Sequence, residues 1–184
     1  VSTAAPPETP LDERAPGDRR GRTVVIVIVV AMVGMWGYVL YLAIGPGRQP
    51  SPDRLEDPAF GRAAQAVCDA AHDDVAALPL ASTAGSAEER AAIIDQANQR
   101  FETMLDEIEA LRRPAGEDGE IVSEWIADWR TYLGDRAEFA AALRRDPEAQ
   151  LLVTAKDRDQ VTEYIDAFAA DNHMAACATP TDVG

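Results

Sequence analysis

The sequence is short of the residues that most often carry chemistry. Among 184 residues there are two cysteines, two histidines and a single lysine, Lys156, against sixteen arginines. It has no His-Glu-x-x-His pair, Asp-rich loop of EF-hand type, glycine-rich phosphate loop or Gly-x-Ser-x-Gly elbow. With no nucleophile-and-base set visible, the chain reads as a non-enzyme without a cofactor, and an envelope enzyme is the least favoured alternative. A basic balance is missing too. The net charge is -15, and such a surface repels phosphate backbones, which argues against nucleic acid as a partner and against an electrostatic grip on anionic lipid. No segment alternates with the period of a strand and no internal repeat occurs, so a β architecture is not expected.

One run lacks charge altogether. Val24 to Ile44, VVIVIVVAMVGMWGYVLYLAI, is 21 uncharged residues preceded by Arg19, Arg20 and Arg22. As a helix it measures about 31 Å, which matches a hydrocarbon core of about 30 Å. A surface helix of a soluble domain would have a polar face, and this one has none. A cleavable signal peptide shares the basic flank, but signal cores run to roughly 7 to 15 residues and no clean Ala-x-Ala site follows. We read a retained single-pass anchor, ended by Gly45, Pro46 and Gly47. Ala31, Gly34 and Gly37 form a small-residue line that would admit a neighbouring helix, although glycine is also common in spans.

The run divides the chain. Residues 1–23 carry Pro6, Pro7, Pro10 and Pro16 and almost no large apolar side chain, and so read as a disordered tail. Four arginines there balance four acids, which places the whole negative charge beyond the span. Arg14, Arg19, Arg20 and Arg22 before the span outweigh Arg48, Arg54 and Arg62 after it, because the first group is the tighter cluster. The expected topology has the tail in the cytoplasm and the remainder outside, in the cell membrane, with Tyr38 and Tyr41 at the outer interface. Residues 45–56, rich in Pro and Gly, read as a linker, and residues 57–184 as one helical domain of ordinary size. The arginine bias, with abundant Ala and Asp, points to a GC-rich bacterial genome, and an initial Val would fit a GTG start.

The expected fold is all-α, one N-terminal transmembrane helix followed by an extracytoplasmic four-helix bundle. Asp57-Pro58 looks like an N-cap with proline at the first helical position, opening a helix to about Leu78. Ser86-Ala87-Glu88-Glu89 fits a capping box before a second helix to about Arg112. A third, from about Glu120 to Arg145, carries the strongest apolar stripe. Leu151-Leu152-Val153 could end a short helix or lie extended. Asp157 or Asp159 would cap a fourth helix to about Asn172. Short loops between helices favour antiparallel packing in a bundle.

Three constellations stand out. Cys68 and Cys177 both follow the span, and a structural disulfide between them is permitted in an oxidising compartment. The two histidines give Cys68-x-x-x-His72 and His173-x-x-x-Cys177, a set that could instead close a Cys2His2 zinc site if both thiols were reduced. Trp125, Trp129, Tyr132 and Arg136 follow one helical line and offer an aromatic-and-arginine interaction patch, although such stripes are more often core. On a buried line Arg136 would need an acidic partner. The other carboxylates, among them Glu88, Glu89, Glu102, Asp106, Glu107 and Glu109, scatter over outer helix faces as a solvated surface.

The segment Trp125-Ile126-Ala127-Asp128-Trp129-Arg130-Thr131-Tyr132, the pair Asp135-Arg136 and the stretch from Phe168 through His173 and Cys177 to Val183 resemble uncharacterised single-pass membrane proteins of actinobacteria with a Cys-tied helical domain outside the membrane. The resemblance implies the layout and the Cys68–Cys177 bond, but no activity and no functional residue; His72 and His173 are not part of its pattern. The expected role is therefore binding: an accessory component of a cell-envelope or membrane protein complex with a protein partner there. A metal- or small-ligand-binding domain at the Cys/His end is the alternative.

Overall fold

A computed structural model describes residues 18–44 and 51–182. The chain divides between Pro50 and Ser51 into two compact units. The first contains α1, Asp18–Ile44, which begins six residues before the uncharged run and so takes in Arg19, Arg20 and Arg22. Every side chain from Gly21 to Tyr41 is exposed, and the helix is long and apolar enough to cross a membrane. The expected tail, Arg14 included, lies outside the described residues up to position 17, as do the Gly45-Pro46-Gly47 stop and residues 45–50 of the expected linker.

The second unit is mostly helical. Its elements are α2, Pro58–Ala76; a 3-10 turn, Ala81–Thr83; α3, Ala87–Ala110; α4, Glu117–Leu143; a two-residue antiparallel ladder of β1, Ala155–Lys156, with β2, Asp159–Gln160; α5, Val161–Asp171; and a second 3-10 turn, Ala175–Cys177. Asp57 caps α2 as expected, its side chain accepting from the Ala59 N–H at 2.8 Å with Pro58 at the first helical position. Ser86 Oγ caps α3 by accepting from the Glu89 N–H, but the return bond from the Glu89 carboxylate reaches the N–H of Gly85, one residue before the box geometry requires. Gly116, at φ 67°, a left-handed value suited to glycine, opens α4 three residues earlier than the periodicity predicts.

Where helical periodicity fades, the expectations shift more. Leu151-Leu152-Val153 lies outside any helix or strand, and Leu152 is exposed. Asp157 and Asp159 do not cap a helix. Asp157 sits at φ 53° in the tip of the hairpin, and α5 starts after Gln160 with no side-chain cap. The hairpin is the strand element that alternation over such short stretches cannot reveal. At the other end of α5 the Met174 N–H bonds the Ala169 carbonyl and the His173 N–H bonds that of Ala170, with His173 at φ 57°. This is a Schellman stop with histidine in the place usually given to glycine, sealed by the buried side chain of Met174.

The helices pack in sequence order, α2 on α3, α3 on α4 and α4 on α5, and the second 3-10 turn touches both α2 and α5. Phe60, Ala64, Phe101, Met104, Leu105, Ile108, Trp125, Trp129, Ile165 and Phe168 meet in the main core. A smaller cluster joins Ile93, Ile94, Phe139 and Leu143 under the first 3-10 turn. The lead-in belongs to this unit as well. Leu55 is buried, its N–H donates to Asn172 Oδ1 at 2.8 Å, and Asn172 Nδ2 donates to the Asp53 carbonyl. Residues 51–56, expected as linker, are thus held against the end of α5.

Two substitutions test this closure in opposite directions. A Cβ on Gly61 would stand 2.7 Å from the Asn172 carbonyl oxygen, a backbone atom that cannot swing aside, so Gly61→Ala should cost about 1–3 kcal/mol. His173→Gly should stabilise by about 0.5–1 kcal/mol, by relieving the left-handed residue. Denaturant unfolding followed by near-UV circular dichroism reads both, and equal midpoints for the two variants would contradict the described closure.

Candidate functional site

The residues of chemical interest collect where the stretch after α5 returns across α2, α3 and α4. Cys68, on the inner face of α2, and Cys177, in the second 3-10 turn, are joined by a disulfide, with both residues fully buried and their Cα atoms 5.2 Å apart. Ala64, one turn before Cys68, has no exposed surface, and this leaves room for the turn to sit against the helix. Gln65 Oε1 then accepts from the Ala176 N–H. The disulfide expectation holds. With the sulfurs bonded to each other, the alternative Cys2His2 zinc set is not assembled. His72 lies one turn along α2 with its ring edge-on to Phe101, centroids 5.6 Å apart. His173 is exposed in the Schellman turn, so the His173-x-x-x-Cys177 spacing does not lie on a helix.

Beyond Cys177 a strap, residues 178–182, crosses the unit. Thr179 donates its N–H and its hydroxyl to the Asp166 carboxylate at 2.7 and 3.2 Å. Asp182 then meets the line Trp125, Trp129, Tyr132 and Arg136. All four are buried, Arg136 completely, so the line serves the core and offers no side chain to a partner from the outer surface. The acid that Arg136 requires is Asp182: Nη1 and Nη2 donate to its two carboxylate oxygens at 2.7 and 2.8 Å. Nε donates to Asn98 Oδ1 at 2.6 Å. The guanidinium also stacks over the rings of Phe101 and Tyr132, at 5.4 and 5.7 Å from their centroids.

Burial alone would make it easier for Arg136 to lose its proton, but the hydrogen bond and charge of Asp182 outweigh it, and its pKa lies above the usual value. Burial raises the Tyr132 hydroxyl, against the opposing pull of Arg136. Sequence reasoning anticipated an acid for Arg136 without naming Asp182, and it missed Asn98 altogether. The signal available was indirect: a disulfide at Cys177 confines the next few residues near the core, and Asp182 is the first acid after it.

The only lysine in the chain forms a second polar focus. Lys156, on β1, reaches Asp128 at 2.7 Å and Glu124 at 2.8 Å on α4, and its ammonium stands 5.0 Å from the Tyr164 ring centroid. Asp135, two turns beyond Asp128 along α4, accepts from both the N–H and the hydroxyl of Thr154. These contacts pin the hairpin. Burial opposes the charge on Lys156, while the bonds to Asp128 and Glu124 raise its pKa on balance.

A cleft of about 400 Å³ opens beside the strap. Val75, Leu78, Leu80, Ile93 and Ala97 supply apolar walls, His72 contributes to the lining, and Thr179 to Asp182 form one side. The buried atoms His72 Nε2, Asn98 Nδ2, Trp125 Nε1 and Trp129 Nε1 have no hydrogen-bond partner among the described residues. No group of three or more His, Cys, Asp or Glu side chains able to hold a metal ion occurs among the described residues.

Removing the bond by Cys68→Ala with Cys177→Ala opens a loop with a sequence separation of 109. On the chain-entropy model this should cost about 4.7 kcal/mol. Denaturant unfolding of the double variant beside the native protein measures it, and a loss below about 1 kcal/mol would contradict a stapling role. For pH, Tyr132 and Lys156 both have folded pKa values above their unfolded ones. Their contribution is therefore fully present below about pH 10 and is lost as pH rises through the folded values. Stability should fall on the alkaline side, and spectrophotometric titration beside a Tyr132→Phe variant should find Tyr132 ionising above the ordinary tyrosine range. Ionisation of Tyr132 at the ordinary tyrosine value would contradict its burial.

No protein-family model, no curated protein and no solved structure matches this chain.

Proposed function

We propose that this is a single-pass protein of an actinobacterial cell membrane, with its N-terminus in the cytoplasm and a four-helix bundle outside, working as a binding subunit in an envelope or membrane protein complex. The observation that carries the reading is α1, an apolar helix whose residues from Gly21 to Tyr41 are exposed among the described residues and which is long and apolar enough to cross a membrane. A bilayer is the solvent that covers such a helix without leaving backbone groups unpaired. The orientation is supported by the tighter arginine cluster before the span. An outer location is supported by the Cys68–Cys177 bond, because disulfides persist where the compartment is oxidising.

The role follows from what the outer unit offers. Most of its carboxylates lie outward, its core is stapled, and its one lysine is already engaged by two acids. It presents a rigid acidic surface, suited to a partner with a basic face. In intact cells a cysteine introduced in place of Ser2 should resist an impermeant thiol reagent and react after lysis. Labelling from outside would overturn the orientation. Purification from native membranes in mild detergent should recover a second protein in constant stoichiometry that dissociates as salt is raised, whereas recovery of the chain alone would overturn the subunit reading.

A further inference from the structure

The strap places a carboxylate on a fully buried arginine at the edge of an apolar cleft, and we propose that Asp182 occupies a receptor for small monocarboxylates with an apolar body. The receptor has two adjoining parts. One is the Arg136 guanidinium, which takes a carboxylate through two parallel N–H donors, the bidentate form that discriminates carboxylate from other acceptors. The other is the cleft walled by Val75, Leu78, Leu80 and Ile93. At about 400 Å³ it falls within the range of small-ligand pockets, roughly 300–1,000 Å³. Asp182 joins the two, lining the cleft and bonding Arg136. On α3 the consecutive residues Ala97 and Asn98 repeat the join, Ala97 in the cleft wall and Asn98 on the arginine.

A second observation points to a ligand independently of the ion pair. Asn98 is 6% exposed, its Oδ1 is committed to Arg136, and its Nδ2 donor is buried without a partner among the described residues. Beside the arginine there is thus one donor that the Asp182 carboxylate does not use. Apolar walls next to the paired guanidinium N–H groups call for an acceptor with a hydrocarbon body behind it.

The strap can leave without unravelling the core. Cys177 is buried and bonded to Cys68, so the chain is fixed up to that point. Beyond it the side-chain bonds among the described residues are those of Thr179 to Asp166 and of Asp182 to Arg136. The Asp182 side chain retains 21% of its exposure, so water already reaches the carboxylate that must be exchanged. An incoming alkanoate replaces it on Arg136 and lays its chain in the cleft. No covalent step is involved. The tethered aspartate competes at a high effective concentration, which sets a threshold for the free ligand.

The test uses the full chain in phosphatidylcholine nanodiscs, with hexanoate as probe, acetate as the carboxylate without a body and hexanol as the body without a carboxylate. In Asp182→Ala the tethered competitor is gone, so hexanoate should raise the unfolding midpoint more than acetate or hexanol at equal concentration. It should also half-saturate at a concentration more than about tenfold lower than in the native chain. Arg136→Met combined with Asp182→Ala replaces the buried pair by apolar groups, a change that is often neutral, and should show no hexanoate response. If Asp182→Ala does not fold, Asp182→Asn keeps the shape without the charge and is read in the same way. Equal shifts from hexanoate and hexanol, or a hexanoate shift that persists in the double variant, would overturn the proposal. So would the absence of any hexanoate shift in both single variants.

Discussion

The helical unit, residues 51–182, is arranged around one buried positive charge. Taking a guanidinium out of water costs several kcal/mol unless its donors are met, and Arg136 has no exposed surface. Three parts of the chain are recruited to meet them: Asn98 from α3, the ring of Tyr132 one turn back on α4, and Asp182 from the strap. The aromatic line on α4 has its sense here. Phe101 and Tyr132 provide the ring faces against which the cation rests, and Trp129 packs on both rings. The disulfide acts on the same constraint from another side. By fixing Cys177 it confines Asp182 to the neighbourhood of the charge it must neutralise.

How far the sequence revealed this depends on the range over which each signal acts. α2 and α3 were legible because their apolar residues recur at helical spacing and their starts carry local chemistry, Asp57-Pro58 and Ser86 with Glu89. Both signals are contained within a few residues. The disulfide was legible because only two cysteines exist and both follow the apolar run. Arg136 announced a need but not its answer, because Asp182 lies 46 residues away in a stretch with no periodicity to place it. The aromatic line was open to two readings, since a stripe at helical spacing looks the same whether it faces a core or a partner. Burial decided for the core.

Other features were invisible for identifiable reasons. Two-residue strands are too short for alternation to register, so the hairpin that carries Lys156 onto Asp128 looked like a helix start. His173 hid its role because left-handed stops are usually marked by glycine. The lead-in looked like linker because Pro and Gly are common there. Its attachment rests on one apolar side chain, Leu55, on the amide of Asn172, more than a hundred residues later, and on the Asp118 carboxylate, which accepts from the Glu56 N–H.

That last pairing governs the order in which the unit can be completed. Leu55 and Cys68 leave the ribosome first, while their partners Asn172 and Cys177 leave last, so neither closure can form until almost the whole unit has been made. Until then α2 has only α3 to lie against, and Cys68 is an unpaired thiol on a half-covered apolar face. Bringing together ends so far apart carries the loop-closure cost of a long chain, offset only when both partners arrive. A chain that stops before Asn172 therefore lacks both closures at once, leaving α2 as the loose element.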